Sequence, residues 1–174
     1  MLRVSQSLDF NSKSKVPMPF NQSSPPLQKR PWRLDECNLQ SVRDHRFEVA
    51  ILPLGATEPH NLHLPYGTDS LEAEWISNSI AEEAWKKNAK VVVYPTIPYG
   101  TETNLRNFPL AMNLNPSTLF RVIEDLVETT SRAGIKKLLL LNSHGGNDFK
   151  PLLRELYGKT DVQLFLCNWF QMIR

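Results

Sequence analysis

The sequence predicts an α/β domain of three layers, helix on sheet on helix, around a mostly parallel sheet. Short apolar runs alternate along the chain with longer segments of helical spacing, the order expected of βα units. The first of those runs, FEVAILPL, is almost continuously apolar, as suits a strand buried on both faces. At 174 residues, 41% hydrophobic and 22% charged, the chain falls in the range of one soluble globular domain.

Residues 1–30 are rich in Ser, Asn, Gln, Lys and Pro, a composition that predicts a disordered tail. Order is expected from Pro31 and Trp32, so that residues 31–174 form the domain, and residues 34–42 have the spacing of a short helix. A strand is predicted over 47–54. Residues 70–89 then carry Leu71, Trp75, Ile76, Ile80, Ala84 and Trp85 at helical spacing, with acidic residues early and lysines late, which suits the helix dipole. A strand over 91–94 leads into a connection over 95–115, too long to be idle. A helix over 116–133 begins with a proline and closes at Gly134. A strand over 137–141, a helix over 148–157 and a strand over 162–167 complete the pattern.

Twenty basic and eighteen acidic residues give a formal charge of +2, so nothing points to nucleic acid as a partner. Cys37 and Cys167 are far apart and outside any Cys-x-x-Cys pattern, and a reducing cytoplasm is the expected location. No apolar run approaches the roughly 20 residues that cross a bilayer, and no secretory leader is read at the N-terminus. Neither a Gly-x-Gly-x-x-Gly nor a Gly-Lys-Ser/Thr loop follows a predicted strand, which argues against a nucleotide-binding domain.

Three of the four histidines sit in two short segments, GATEPHNLHLPYGTD (residues 55–69) and NSHGGN (residues 142–147). Each follows a predicted strand. Ligand sites in open parallel sheets form beyond the carboxyl ends of strands, so the two loops can converge across about 75 residues of sequence. Glu58 and His60 flank Pro59, which favours an extended backbone and one shared side for the pair. Asp69 stands at the predicted helix start, where capping by Thr68 or Asp69 is the plainer reading. The neighbouring histidines favour a metal role instead, because imidazole and carboxylate together suit zinc, manganese or iron. For His144 the plainer reading is a tight turn with one carbonyl contact, and its pairing with the first segment again favours ligation. Asn142 and Asn147 are candidates to orient ligands or simply to form the turn. Glu102 is a candidate proton carrier, although an exposed structural glutamate is the more ordinary expectation.

At these residues the sequence resembles the creatininase (creatinine amidohydrolase) family, whose signatures run approximately Gly-Ser-x-Glu-Gln-His-Gly-x-His-Leu-Pro-x-x-Thr-Asp and Asn-Gly-His-Gly-Gly-Asn. The resemblance extends from about Pro31 to the end of the chain. It implies a creatininase-like fold, a centre of two divalent ions, a homo-oligomer that is often a hexamer, and hydrolysis of C–N bonds in a small cyclic or linear amide. By the same resemblance Glu58 and His144 hold one metal, His60 the second, Asp69 bridges the two, and His63 supports the site without ligating. The chain departs from the family pattern at Pro59, Asn61 and the Phe108-Pro109-Leu110-Ala111 stretch. Gly146 stands where creatininase itself has a further acidic ligand. Family members continue past the position of Arg174, so the resemblance implies that the C-terminal part of the fold is missing. The alternative is a catalytically silent metal- or ligand-binding domain of the same fold.

Overall fold

The computed structural model describes residues 30–172. The expected tail therefore lies, apart from Arg30, outside the described residues. Among the described residues four strands, β1 (Val49–Leu54), β2 (Val91–Val93), β3 (Lys137–Asn142) and β4 (Gln163–Asn168), form one sheet in the order β2-β1-β3-β4. All three pairings are parallel, and β1 and β3 run in register from Val49↔Lys137 to Leu54↔Asn142. Each strand lies within one or two residues of its predicted bounds.

Among the same residues four α-helices accompany them: α1 (Leu39–Asp44), α2 (Thr68–Lys86), α3 (Pro116–Arg132) and α4 (Lys150–Leu156). The predicted helix over 34–42 is instead two pieces. A 3-10 turn at Leu34–Glu36 ends at Cys37, and Asn38 restarts the chain as the N-cap of α1, its side chain accepting from the Ser41 amide. A side chain that can satisfy an orphaned helix amide favours a cap over a helix interior.

Strand alternation sends apolar residues to both faces, and each face has its own helices. Ala50, Leu52, Leu54, Leu138 and Leu140 pack with Leu119, Ile123 and Val127 of α3 and with Phe149, Leu152 and Leu156 at α4. Ile51, Val91, Val93 and Leu141 pack on the other face with Ala81, Ile76, Ala84 and Trp85 of α2, and with Trp32. The three-layer expectation is met. The face of α2 differs in detail from the predicted stripe: its buried positions are Asp69, Ala73, Ser77 and Ala81, while Leu71 and Trp75 are 60% and 72% exposed. Small residues let the helix lie close to the sheet, and the larger side chains fall outside that contact.

Pro53 sits in a central strand, where proline usually removes a ladder bond. Its carbonyl accepts from Ile97, on the side where β2 has already ended. The pairing of β1 with β3 is untouched.

The strand order fixes where a site can form. From β1 the chain crosses to β2 on one side, and from β3 to β4 on the other, so β1 and β3 flank a switch point. A crevice opens there beyond their carboxyl ends. No helix among the described residues is long and apolar enough to cross a membrane.

Candidate metal centre

The loop after β1 carries the first three candidates. Gly55 lies so close to α2 that a Cβ would stand 2.5 Å from the Ser70 hydroxyl, and this contact brings the helix start against the end of the strand. The Glu58 amide donates to the Tyr66 carbonyl, and His60 pairs with Leu64 in a short antiparallel bridge. Asn61 turns the chain between them at φ 59°, a left-handed conformation that asparagine tolerates better than most residues. His60 Nδ1 donates to the Glu58 carbonyl at 3.1 Å. That bond fixes the tautomer and leaves Nε2 free to face inward. His63 is exposed on the same turn.

Asp69 lies in the first turn of α2 but does not cap it. The N-cap is Gly67, without a side-chain bond, and the Thr68 hydroxyl donates to the Pro65 carbonyl. Because Asp69 shares the buried helix face with Ala73 and Ser77, its carboxylate is directed into the crevice at 6% exposure. One oxygen is 2.8 Å from His60 Nε2, and the other is 2.9 Å from His144 Nδ1.

The loop after β3 supplies His144, which is 5% exposed. The Ser143 amide donates to the Leu54 carbonyl, extending the β1–β3 pairing into the loop. Asn142 is fully buried: its amide donates to the His144 and Asn168 carbonyl-type oxygens, and its oxygen accepts from His144 N and Asn147 Nδ2. It is a brace for the histidine loop rather than an ordinary turn former. His144 Nε2 donates to the Thr101 carbonyl at 3.1 Å, which turns Nδ1 toward Asp69 and, at 3.1 Å, toward Glu58 Oε1. Glu58 Oε1 also lies 3.9 Å from His60 Nε2.

The connection over 95–115 closes one side. It is ordered by bonds from Leu114 N to Gly100 O, Glu102 N to Asn113 Oδ1, and the Tyr66 hydroxyl to Pro109 O. Glu102 overturns its expectation. It is 0% exposed, and neither carboxylate oxygen has a hydrogen-bond partner. The Thr57 amide is near enough to favour its ionised form without reaching hydrogen-bond geometry. Ligand atoms of Glu58, Glu102 and His144 lie within 4.8 Å of one another, as do those of Glu58, His60 and Asp69. One signal for Glu102 was present in the sequence: it is the sole acidic residue between Pro95 and Asn115.

The electrostatics are those of a site short of positive charge. Burial pushes the Glu58 carboxyl up, with Asp69 adding to the rise and His144 opposing it. Burial likewise raises Glu102, helped by Glu58. For His144, burial pulls downward, but Asp69, the Thr101 carbonyl and Glu58 outweigh it and raise the imidazole. His60 is raised against burial by the Glu58 carbonyl and Asp69. Both acids and both bases thus hold protons more tightly than usual, as expected where a cation is wanted. The donor set fits a divalent ion: two imidazoles, each with its other nitrogen anchored to a backbone carbonyl, and carboxylates between them.

A parallel α/β sheet with carboxylates and imidazoles gathered at its switch point defines a class of proteins with a polar, cation-seeking crevice. The creatininase family model, described as creatinine amidohydrolase, matches residues 35–174, and the chain belongs to that family. Creatinine amidohydrolase of Pseudomonas putida is 28% identical over 139 residues, covering 72% of this chain and 52% of the relative. Mycofactocin precursor peptide peptidase of Mycolicibacterium smegmatis is 26% identical over 100 residues, covering 57% and 40%. A creatinine amidohydrolase homologue of Bacteroides fragilis, known from its crystal structure, superposes with a TM-score of 0.76 at 32% identity, covering 83% of this chain and 58% of that one. The chain spans about half the length of the curated relatives it matches.

Proposed function

We propose that the chain carries the metal centre of an amidohydrolase that cleaves a C–N bond of a small amide. The observation that carries this reading is the placement of Asp69, whose two oxygens each meet an inward-facing imidazole, His60 on one side and His144 on the other. In this reading Glu58 and His144 would hold one divalent ion, His60 would hold a second, and Asp69 would be shared between them. Bound there, the ions supply Lewis-acid polarisation of a carbonyl and lower the pKa of a water toward neutrality.

The protein's own groups do the rest. The Thr101 and Glu58 carbonyls hold each imidazole in the tautomer that offers a lone pair inward. Glu58 Oε1, 3.1 Å from His144 Nδ1 and 3.9 Å from His60 Nε2, lies between the two imidazoles, where a ligand to the ion would stand. The 95–115 connection walls the crevice and limits competing water. The relatives named above act, by name, on creatinine and on a precursor peptide, so amides both cyclic and linear fall within the proposal. Assembly as a homo-oligomer and a cytoplasmic location belong to it too, and the exposed Leu71 and Trp75 offer an apolar patch for such assembly.

Metal content of the purified wild type and of Asp69→Ala, with hydrolysis of creatinine, formamides and short peptides, tests the reading. Wild-type uptake that Asp69→Ala loses, together with turnover of one amide class, is expected. A wild type that takes up no divalent metal at micromolar concentration refutes it, and uptake without turnover favours the silent domain.

A further inference from the structure

Glu102 is unlike the other buried polar groups of the crevice. Asn142, Asn147 and His144 are all hydrogen-bonded, whereas the Glu102 carboxylate is sealed from solvent with both oxygens unpartnered. A buried carboxylate left in that state is costly, and it persists where a ligand or function compensates. Among the described residues no lysine or arginine acts on it, and the His144 imidazole is the one basic side chain that favours its ionised form. Its neighbours are the Glu58 carboxylate and a ring nitrogen of His144. A second carboxylate raises the cost, and an ion between the three groups removes it.

The backbone shows why the carboxylate comes from this segment. A Cβ on Gly146 would stand 2.2 Å from the Thr101 carbonyl oxygen and 2.5 Å from His144 Nε2. The bare backbone of residue 146 thus lets Thr101 lie against the histidine loop, and the next residue turns its side chain into the crevice. The Asn113 carboxamide holds the Glu102 amide, and Asn147 holds that of Thr101, so the carboxylate is aimed by two bonded amides in succession.

We infer that Glu102 is a metal ligand, completing with Glu58 and His144 a three-residue set for one divalent cation, distinct from the His60 side of the centre. This assignment rests on the metal reading proposed above and adds to it a ligand from a third loop. An oxygen-rich set of two carboxylates and one imidazole suits manganese or zinc.

The test is Glu102→Gln in the full chain, measured without substrate. Isothermal titration with Mn²⁺ alone gives affinity and stoichiometry, Mn²⁺ spin-resonance spectra report whether two ions are coupled, and melting of chelator-treated protein reports the fold. Glu102→Gln is expected to weaken one ion by at least about tenfold, to abolish the coupled-ion signal and to leave the other ion bound. The metal-free variant is expected to melt at the same temperature as wild type or higher, because an uncompensated buried charge is gone. Unchanged affinity and stoichiometry overturn the inference, including the case where turnover alone is lost, which makes Glu102 a proton carrier. A lower metal-free melting temperature assigns it a structural role and overturns it as well. If wild type takes up no Mn²⁺, the metal reading itself falls and takes this assignment with it.

Discussion

The Asn147 side-chain oxygen accepts the Thr101 amide at 3.0 Å and so ties the loop after β3 to the 95–115 connection. Thr101 in turn receives the His144 ring proton through its carbonyl, and Asn147 also donates to Asn142. Asn147→Ala removes both bonds from a buried position. A loss of about 1–3 kcal/mol in denaturant unfolding is expected, with metal affinity reduced roughly 10–100-fold because the His144 support loosens.

Replacing Asp69 with Asn keeps the volume and removes the charge shared by both imidazoles. Burial then acts on His144 with less to oppose it, so its pKa is expected to fall. Proton NMR titration of metal-free wild type and variant measures this. A His144 value that does not move shows that Asp69 is not its dominant partner.

In metal-free protein His144 and His60 titrate above their usual 6.5, and Glu58 and Glu102 above their usual 4.5. A folded-state pKa above the unfolded value adds stability below the unfolded value and loses it as pH rises through the folded one. Chelated protein should therefore become less stable as pH rises above about 4.5, through the two glutamates, and again above about 6.5, through the two histidines. Metal replaces those protons, so the gain in melting temperature on adding Mn²⁺ should widen over the same ranges. A constant gap contradicts the prediction.

Adjacent glycines should respond differently. Gly146→Ala drives a Cβ into the Thr101 carbonyl and the His144 ring and is expected to cost about 1–3 kcal/mol or more. At Gly145 a Cβ meets nothing within 4 Å, and alanine there should be nearly neutral. Urea unfolding of the two variants makes the comparison directly.

Leu110 holds φ 57° and is 77% exposed. A leucine in the left-handed region carries backbone strain, and at this exposure its side chain returns little burial. Leu110→Gly is expected to stabilise by up to about 1 kcal/mol, read as a small rise in melting temperature.

The strands and long helices were legible because their signals are local: continuous apolar runs for β1 and β3, and helical spacing bounded by Pro116 and Gly134 for α3. Convergence of Glu58, His60, Asp69 and His144 was legible for a topological reason, since both loops follow strands. The rest depended on contacts no local pattern contains. Helical spacing marks Leu71 and Trp75 as part of an apolar face without saying that the closest approach to the sheet uses Ala73, Ser77 and Ala81. The break at Cys37 turned on a cap by Asn38. Glu102 looked like a surface acid because its surroundings come from residues 57, 58 and 144, remote in sequence.

The in-register pairing of β1 with β3, ending at Leu54↔Asn142, makes the crevice a gauge of correct assembly. Slipping β3 by one residue would carry His144 about 3.3 Å along the sheet and reverse the side-chain faces. Misaligned chains could then no longer grip an ion from both loops. A cation present during refolding would act as a proofreader, rewarding only the alignment in which the two halves of the centre meet.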